Sequence, residues 1–290
     1  MKKLTVLFIL ILLLSGCTAE KPDAQIVATT LPVYEFTVQL CQGTGLTVNR
    51  LVTESVSCLH DYTLQVRQMR AIEGAQAVIL SGGGLEAFLE DALGSAQTVI
   101  DASVGLSLLE SHHDHAHDHG DAHHHEEDPH FWLSPAGAKI MAANICEGLA
   151  ARYPEHAALF SSNLNALLAQ LDALQAYGEE KLADLSCREL ITFHDGFSYF
   201  AESFGLSVLK AVEEESGSEA SAATLIGLVS LVNEHGITAI FTETNGATAA
   251  AQVIAAETGV QIFTLDMAMA GDSYFDAMYR NIDTVWEALQ

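Results

Sequence analysis

The chain has few basic residues. Its 290 residues include 12 lysines and arginines against 38 aspartates and glutamates, which gives a formal net charge of −26. Such a charge disfavours nucleic acid and anionic substrates and raises the local concentration of cations. We therefore expect no nucleic-acid partner and consider a cationic ligand, although solubility alone would also account for the charge.

The mature chain also lacks an apolar run of the ~20 residues that a membrane span requires. The one continuous apolar run, Leu4 to Leu14, follows two lysines and precedes Ser15-Gly16-Cys17. This layout is typical of a secretory signal, and the small residues before Cys17 resemble a bacterial lipobox. We predict a signal peptide over residues 1–17, with Cys17 as the lipidated first residue of the mature protein. The alternative is an ordinary signal cleaved near Ala19.

This prediction places the protein outside the cell, with its lipid in the outer face of the cell membrane or, in a two-membrane envelope, on the periplasmic side. Four further cysteines, an even number in an exported chain, make one or two disulfides plausible. We favour a pair between Cys41 and Cys58 and leave a pair between Cys146 and Cys187 open. Buried free thiols are the alternative. No cysteine spacing fits a CxxC metal motif.

Strand-like apolar runs alternate with helical patterns, which favours parallel βαβ units and an α/β fold. Four strands in each half predict two βα lobes, each with a four-stranded parallel sheet flanked by helices. Ser134-Pro135 is predicted to begin a helix as N-cap and first residue. The predicted strands are 26–30, 48–52, 77–80 and 98–101 in the first half, and 190–193, 207–212, 239–242 and 260–265 in the second.

A long helical pattern separates the two halves. From Pro154 to Leu185, apolar or small residues recur at steps of three and four, and the only glycine is Gly178. This spacing predicts one rigid helix between an N-terminal lobe (18–153, with a histidine-rich loop over 111–128) and a C-terminal lobe (186–290). The alternative is two shorter helices broken at Gly178.

Polar residues follow several predicted strands, where open parallel sheets bind their ligands. His194 ends one strand and Asp266 another, while His60 and His130 lie in loops of the first half. Neutral imidazoles and a carboxylate suit a divalent transition metal, zinc above all, in a tetrahedron. Asp61 and Asp195 each adjoin a histidine and could hold its N–H.

The sequence resembles the solute-binding proteins of bacterial zinc and manganese ABC importers over nearly its whole mature length. The matching stretches are His60-Asp61-Tyr62, Ala77 to Glu86, Asp128 to Leu133, Phe193-His194-Asp195, Phe241-Thr242-Glu243 and Leu265-Asp266. This resemblance implies two βα lobes joined by a long helix, with one metal between them. Carried over by position, the ligands are His60, His130, His194 and Asp266.

Two departures from the family pattern affect the predicted site. Members often carry proline near the glutamate and aspartate motifs, where this chain has Asn245 and Met267. Glu243 is accordingly left open as a ligand, as a hydrogen-bond acceptor for a ligand, or as a loop residue. We expect Met267 and Met269 to fill gaps rather than to bind copper.

A histidine at position 194 favours zinc, since manganese-selective relatives tend to have glutamate there and oxygen donors suit manganese. We therefore expect a monomer that captures Zn²⁺ and passes it to an ABC permease and its ATPase, with Mn²⁺ or iron as the alternative ligand. A metallohydrolase with Glu243 as base is disfavoured, because four ligands leave little room for an activated water and no hydrolase motif is present. A surface adhesin with a structural zinc remains a further alternative.

Nine of the thirteen histidines fall within residues 111–130. The segment before His130 lacks apolar residues and is predicted to remain mobile. We interpret it as an accessory collector or sensor of zinc, with a solvated loop as the alternative. Its histidines are His112, His113, His115, His117, His119, His123, His124 and His125.

Overall fold

The computed structural model describes residues 24–54, 59, 62–110, 127–213, 220–244, 246 and 248–290. Several residues for which the sequence predicts a role therefore lie outside the described part of the chain. They are Cys17, Cys58, His60, Asp61, Asn245 and the eight histidines from His112 to His125.

The N-terminal lobe is built on a parallel sheet with the strand order β2-β1-β3-β4. Helices connect the strands, as the alternating pattern predicts. The elements are β1 (Ile26–Ala28), α1 (Leu31–Leu40), β2 (Val48–Arg50), α2 (Val66–Gly74), β3 (Ala77–Leu80), α3 (Glu90–Leu93), β4 (Val99–Asp101) and α4 (Pro135–Arg152).

Between β4 and α4 the chain forms a short antiparallel ribbon that the sequence does not predict. Its strands, β5 (Leu109–Glu110) and β6 (Glu127–Asp128), flank residues 111–126. A 3-10 turn, Phe131–Leu133, leads to α4, where the Ser134 hydroxyl accepts a 2.8 Å hydrogen bond from the Gly137 N–H. The predicted N-cap is therefore confirmed.

The C-terminal lobe repeats the arrangement with a parallel sheet in the order β10-β9-β7-β8. The helices that connect its strands pack on both faces of the sheet. The elements are β7 (Glu189–His194), α6 (Ser198–Ser203), β8 (Ser207–Glu213), α7 (Ala222–His235), β9 (Ala239–Glu243), α8 (Ala249–Thr258), β10 (Gln261–Leu265) and α9 (Tyr274–Leu289).

A single long helix, α5 (Ala157–Lys181), lies between the two sheets and follows a 3-10 turn over Pro154–His156. Its 25 residues extend about 37 Å at 1.5 Å per residue. It packs against α1 and α4 of the first lobe and α9 of the second. The helix continues through Gly178, where a Cβ atom would lie 2.2 Å from the Phe204 ring. The glycine therefore admits a close-packed side chain and does not break the helix.

The main hydrophobic core is shared by both lobes and α5. Two smaller clusters cover the outer faces of the two sheets. Within the described ranges, no helix is both long and apolar enough to cross a membrane.

Loops at the carboxyl ends of both sheets are hydrogen-bonded to each other across the lobe boundary. Backbone carbonyls of the loop after β10 accept most of these hydrogen bonds. The pairs are Leu31 N–H with Met269 O (3.1 Å), Arg50 Nη1 with Gly271 O (2.6 Å), Trp132 Nε1 with Met267 O (2.8 Å), Tyr274 N–H with Glu35 Oε2 (2.6 Å) and Tyr274 Oη with Trp132 O (2.8 Å).

The structure corrects the cysteine prediction. Cys41, Cys146 and Cys187 are free thiols, so the favoured Cys41–Cys58 bridge and a Cys146–Cys187 bridge are both wrong. Cys41 is buried in the core at the end of α1, and burial raises the pKa of its thiol to about 12. It acts as a small apolar residue in the core, which is the alternative left open above.

The sequence pattern also predicts helices around Tyr62 to Glu73 and Leu85 to Leu93, and both predictions are wrong in detail. Helix α2 begins at Val66 and not near Tyr62, because Gln65 and Gln68 form a capping box at that point. Residues 85–93 form a 3-10 turn (Ala87–Leu89) followed by the single turn of α3.

Candidate metal centre

Two histidines from different lobes meet at the boundary between the lobes. His194 is the last residue of β7, and His130 precedes the 3-10 turn that leads to α4. Their Nε2 atoms lie 3.4 Å apart, the rings are nearly perpendicular at 85°, and both side chains are buried. The structure thus brings together two of the four predicted ligands.

Asp128 orients His130 from the end of β6. Its Oδ1 atom lies 2.7 Å from Nδ1 of His130 and accepts a 2.9 Å hydrogen bond from the His130 backbone N–H. Because a carboxylate accepts and does not donate, Nδ1 of His130 carries the proton of the neutral ring. The Nε2 lone pair of His130 is therefore directed at His194, as a metal ligand requires.

The spacing of the two nitrogens suits a tetrahedral ion. Two Zn–N bonds of about 2.0–2.1 Å at the tetrahedral angle place their nitrogens about 3.3–3.4 Å apart. The observed Nε2–Nε2 distance of 3.4 Å falls within this range. The pair of His130 and His194 can accordingly supply two corners of a tetrahedral zinc site without a change in its spacing.

Glu243, at the end of β9, is buried beside His194. Its Oε2 atom lies 3.9 Å from Nδ1 of His194, on the side of the ring away from His130. A carboxylate in this position can accept the Nδ1 proton of His194 after a small movement, which favours the acceptor role among the three left open for Glu243. Asp195 is also buried next to His194.

Gly196 leaves room for both imidazoles. A Cβ atom at this position would lie 2.9 Å from Nδ1 of His130, 2.9 Å from Cδ2 of His194 and 2.7 Å from Cε of Met267. Met267 is buried against the same point and fills the gap, as expected for a methionine. The glycine is required because three side chains occupy the space that any larger residue would enter.

Asp266 lies in a tightly held loop after β10. The buried side chain of Asn281 bonds both its backbone groups, at 2.8 Å to N and 2.7 Å to O. Its carboxylate accepts from the Ala268 N–H at 2.8 Å and from Arg280 at 3.4 Å. Ala268 has a φ of 52°, which is strained for a residue with a side chain. The departure from the family pattern at Met267 thus coincides with unusual backbone geometry.

Across the described ranges, no group of three or more histidine, cysteine, aspartate and glutamate side chains is placed to hold a metal ion. His60 lies outside those ranges, and His60 and Asp266 stay predictions as ligands. Two residues that hold the site were missed by the sequence reasoning: Asp128 and Asn281. The signal for Asp128 is present in Asp128-Pro129-His130, where a carboxylate lies two residues before a predicted ligand.

Comparison with known proteins gives a consistent family. A sequence model of the family described as zinc-uptake complex component A, periplasmic, matches residues 26–288. The zinc-binding lipoprotein AdcA of Streptococcus pneumoniae serotype 4 is 30% identical over 97% of this chain and 60% of its own length. The chain therefore spans about 60% of the length of that curated relative.

Two solved structures are similar over most of the chain. The crystal structure of ZnuA aligns with a TM-score of 0.79 at 28% identity, over 92% of this chain and all of that one. The binding protein FpvC of Pseudomonas aeruginosa, in complex with Mn²⁺, aligns with a TM-score of 0.80 at 25% identity, over 92% of this chain and 99% of that one.

Proposed function

The chain belongs to the family of zinc-uptake complex component A, and from this premise we propose that it captures Zn²⁺ between its two lobes and delivers it to an ABC permease and its ATPase. Proteins of this family are transport components and not enzymes. The metallohydrolase alternative is therefore set aside.

One observation carries the choice of site. His130 and His194, from different lobes, have their Nε2 atoms at the spacing of two tetrahedral zinc ligands, and Asp128 fixes the ring of His130. Their burial supports a metal site over a solvated pair, since a buried histidine pair needs polar partners. We propose His60 and Asp266 as the remaining ligands, with Asp61, Asp195 and Glu243 as hydrogen-bond acceptors around them.

Zinc is the proposed cargo and Mn²⁺ the alternative. Imidazole nitrogens suit zinc, whereas manganese favours oxygen donors. The AdcA relative is named as zinc-binding, while FpvC was solved with Mn²⁺. Competition between the two ions is therefore part of the test.

The test uses the mature protein and one alanine variant at a time. We expect one tightly bound Zn²⁺ per chain, displaced poorly by Mn²⁺. His60→Ala, His130→Ala and His194→Ala should each weaken zinc binding by more than about 100-fold, the upper end of the loss caused by removing a residue that only orients a ligand.

The matched control is His235→Ala. His235 bonds Glu189, the first residue of β7, at 3.0 Å and so lies at the opposite end of the strand from His194. Its substitution should leave zinc affinity unchanged. If the His194→Ala variant binds zinc with unchanged affinity, the assignment of the site is wrong.

We further propose that the histidines of residues 111–126 collect zinc for the main site. The composition of this segment predicts ligands that must be ordered at each binding event, so we expect a lower affinity than that of a preformed site. Deleting residues 111–126 should remove a weak second phase in calorimetry and retain the single tight site. Loss of the tight site would show that these histidines form it.

The proposed location follows from the sequence. Cys17, as a lipidated residue, would hold the protein on the outer face of the cell membrane, where a permease can receive the metal. Mass analysis of the protein extracted from membranes should show diacylglycerol on Cys17, and Cys17→Ala should release the protein from the membrane fraction.

A further inference from the structure

The hydroxyl group of Tyr199 lies at the base of the β5–β6 ribbon. It accepts a 2.7 Å hydrogen bond from the Leu109 N–H and donates a 3.1 Å hydrogen bond to the Asp128 carbonyl. Leu109 and Asp128 are directly opposite each other in the ribbon. One side chain therefore bridges the two strands at the end of the ribbon remote from residues 111–126.

This bridge matters because the ribbon is short. Each strand has two residues, and an isolated two-stranded ribbon has marginal stability in water. The Tyr199 hydroxyl supplies two hydrogen bonds that the short ladder lacks. Burial raises the pKa of Tyr199 to about 12, so the hydroxyl keeps its proton and remains a donor at neutral pH.

Tyr199 also connects the ribbon to the other lobe. It lies in α6, five residues after His194, and its ring is buried. Its acceptor, Asp128, bonds His130 through the carboxylate and Tyr199 through the backbone carbonyl. A continuous chain of contacts thus runs from α6 through Asp128 to the imidazole of His130.

We propose that Tyr199 is a positioning residue that fixes Asp128, and through it His130, in register with His194. The inference rests on the proposed function, since it concerns metal capture by the same pair of histidines. Tyr199 does not touch the metal. Its hydroxyl sets the position of the backbone from which the Asp128 carboxylate reaches Nδ1 of His130.

The first measurement is zinc affinity in Tyr199→Phe, which keeps the buried ring and removes the hydroxyl. We expect affinity to fall about tenfold, the lower end of the loss caused by removing a group that orients a metal ligand. The control is Tyr153→Phe, another buried tyrosine, whose hydroxyl lies 3.4 Å from Gln76 within the N-terminal lobe. That variant should bind zinc as the unmodified protein does.

A double-mutant cycle separates positioning from general destabilisation. Asp128→Ala removes the carboxylate and keeps the carbonyl that Tyr199 contacts. If Tyr199 acts through that carboxylate, Tyr199→Phe should cause no further loss of zinc affinity in the Asp128→Ala background. Thermal unfolding of the metal-free variants reports any loss of stability separately.

Co²⁺ provides a spectroscopic readout of ligand geometry. The visible bands of the Co²⁺-loaded protein should change in Tyr199→Phe and stay unchanged in Tyr153→Phe. Unchanged zinc affinity in Tyr199→Phe, or fully additive effects in the cycle, would overturn the proposal for Tyr199 alone. Absence of a tight zinc site in the unmodified protein would instead overturn the proposed function.

Discussion

The indole N–H of Trp132 donates a 2.8 Å hydrogen bond to the carbonyl oxygen of Met267, 135 residues away. Trp132 follows His130 by two residues, and Met267 directly follows Asp266. The Trp132 carbonyl in turn accepts a 2.8 Å hydrogen bond from the Tyr274 hydroxyl. Trp132 therefore fixes the distance between the loop that carries His130 and the loop that carries Asp266.

Replacing Trp132 with phenylalanine should destabilise the metal-free protein. The Met267 carbonyl would lose its donor in a buried position, which costs about 1–3 kcal/mol of unfolding free energy. Urea denaturation measures the change. Trp286→Phe is the control, since Trp286 is 37% exposed and the Nζ of Lys181 lies over its ring, 4.2 Å from the centroid. Equal stabilities of the two variants would contradict the prediction.

Gly196→Ala should weaken zinc binding by at least about tenfold, comparable with removal of a group that orients a ligand. The new methyl group would contact both imidazoles at 2.9 Å, and His130 can move only by straining its bond to Asp128. Calorimetry measures the affinity. Gly227→Ala is the matched control, because a Cβ atom there meets nothing within 4 Å. Unchanged affinity in Gly196→Ala would show that the imidazoles have room to shift.

The sequence predicts the parts of the site that follow strand ends. His194 ends β7 and Asp266 follows β10 as expected, because apolar runs and the polar residue after them are local signals. The roles of Asn281 and Tyr199 could not be predicted. Each side chain makes two hydrogen bonds to the backbone of another segment, and neither residue lies in a pattern of period two or 3.6 that would identify its partner.

The wrong cysteine prediction and the choice between one helix and two at Gly178 have a similar explanation. Even cysteine counts suggest bridges, but burial of Cys41 depends on how α1 packs in the core. The continuous helix favoured through Gly178 is confirmed, and the ring of Phe204, in the C-terminal lobe, packs against this glycine. In both cases tertiary packing decides between alternatives that the local sequence leaves equal.

Glu86→Gln should change how stability depends on pH. Glu86 is buried, and its carboxylate accepts hydrogen bonds from Thr29 Oγ1 (2.5 Å), Ser81 N–H (2.7 Å) and Gly82 N–H (3.0 Å). Burial nonetheless raises the pKa of Glu86 above its usual 4.5. In the folded protein the group therefore binds a proton more tightly than in the unfolded chain, and stability falls as pH rises from 4.5 towards the folded pKa.

Glutamine does not titrate, so the variant lacks this pH-dependent contribution to the free energy of unfolding. Within that window the stability advantage of the unmodified protein over Glu86→Gln should shrink by up to about 1.4 kcal/mol per pH unit. Denaturant unfolding of metal-free protein from pH 4.5 upwards measures the difference. The exposed residue Glu90 provides the control substitution Glu90→Gln. A pH slope in Glu86→Gln no different from that in the control would contradict the prediction.

Zinc binding should change the overall shape very little. The rigid helix α5 packs on both lobes, and seven of the hydrogen bonds described above cross the lobe boundary near the site. A wide closure would require these bonds to be absent in the metal-free protein. Small-angle scattering profiles with and without Zn²⁺ should nearly superimpose. Marked compaction on addition of metal would show that α5 permits hinge motion.

The bonds across the lobe boundary also constrain the order in which the chain can fold. Glu35 and Tyr274 are 239 positions apart, and Arg50 and Gly271 are 221 apart. Within each lobe, by contrast, the parallel strands are joined by short crossovers that can form early. Contacts between distant segments require closure of a long loop and form late. On the ribosome, the boundary between the lobes can therefore be completed only after residues 267–274 have been synthesised.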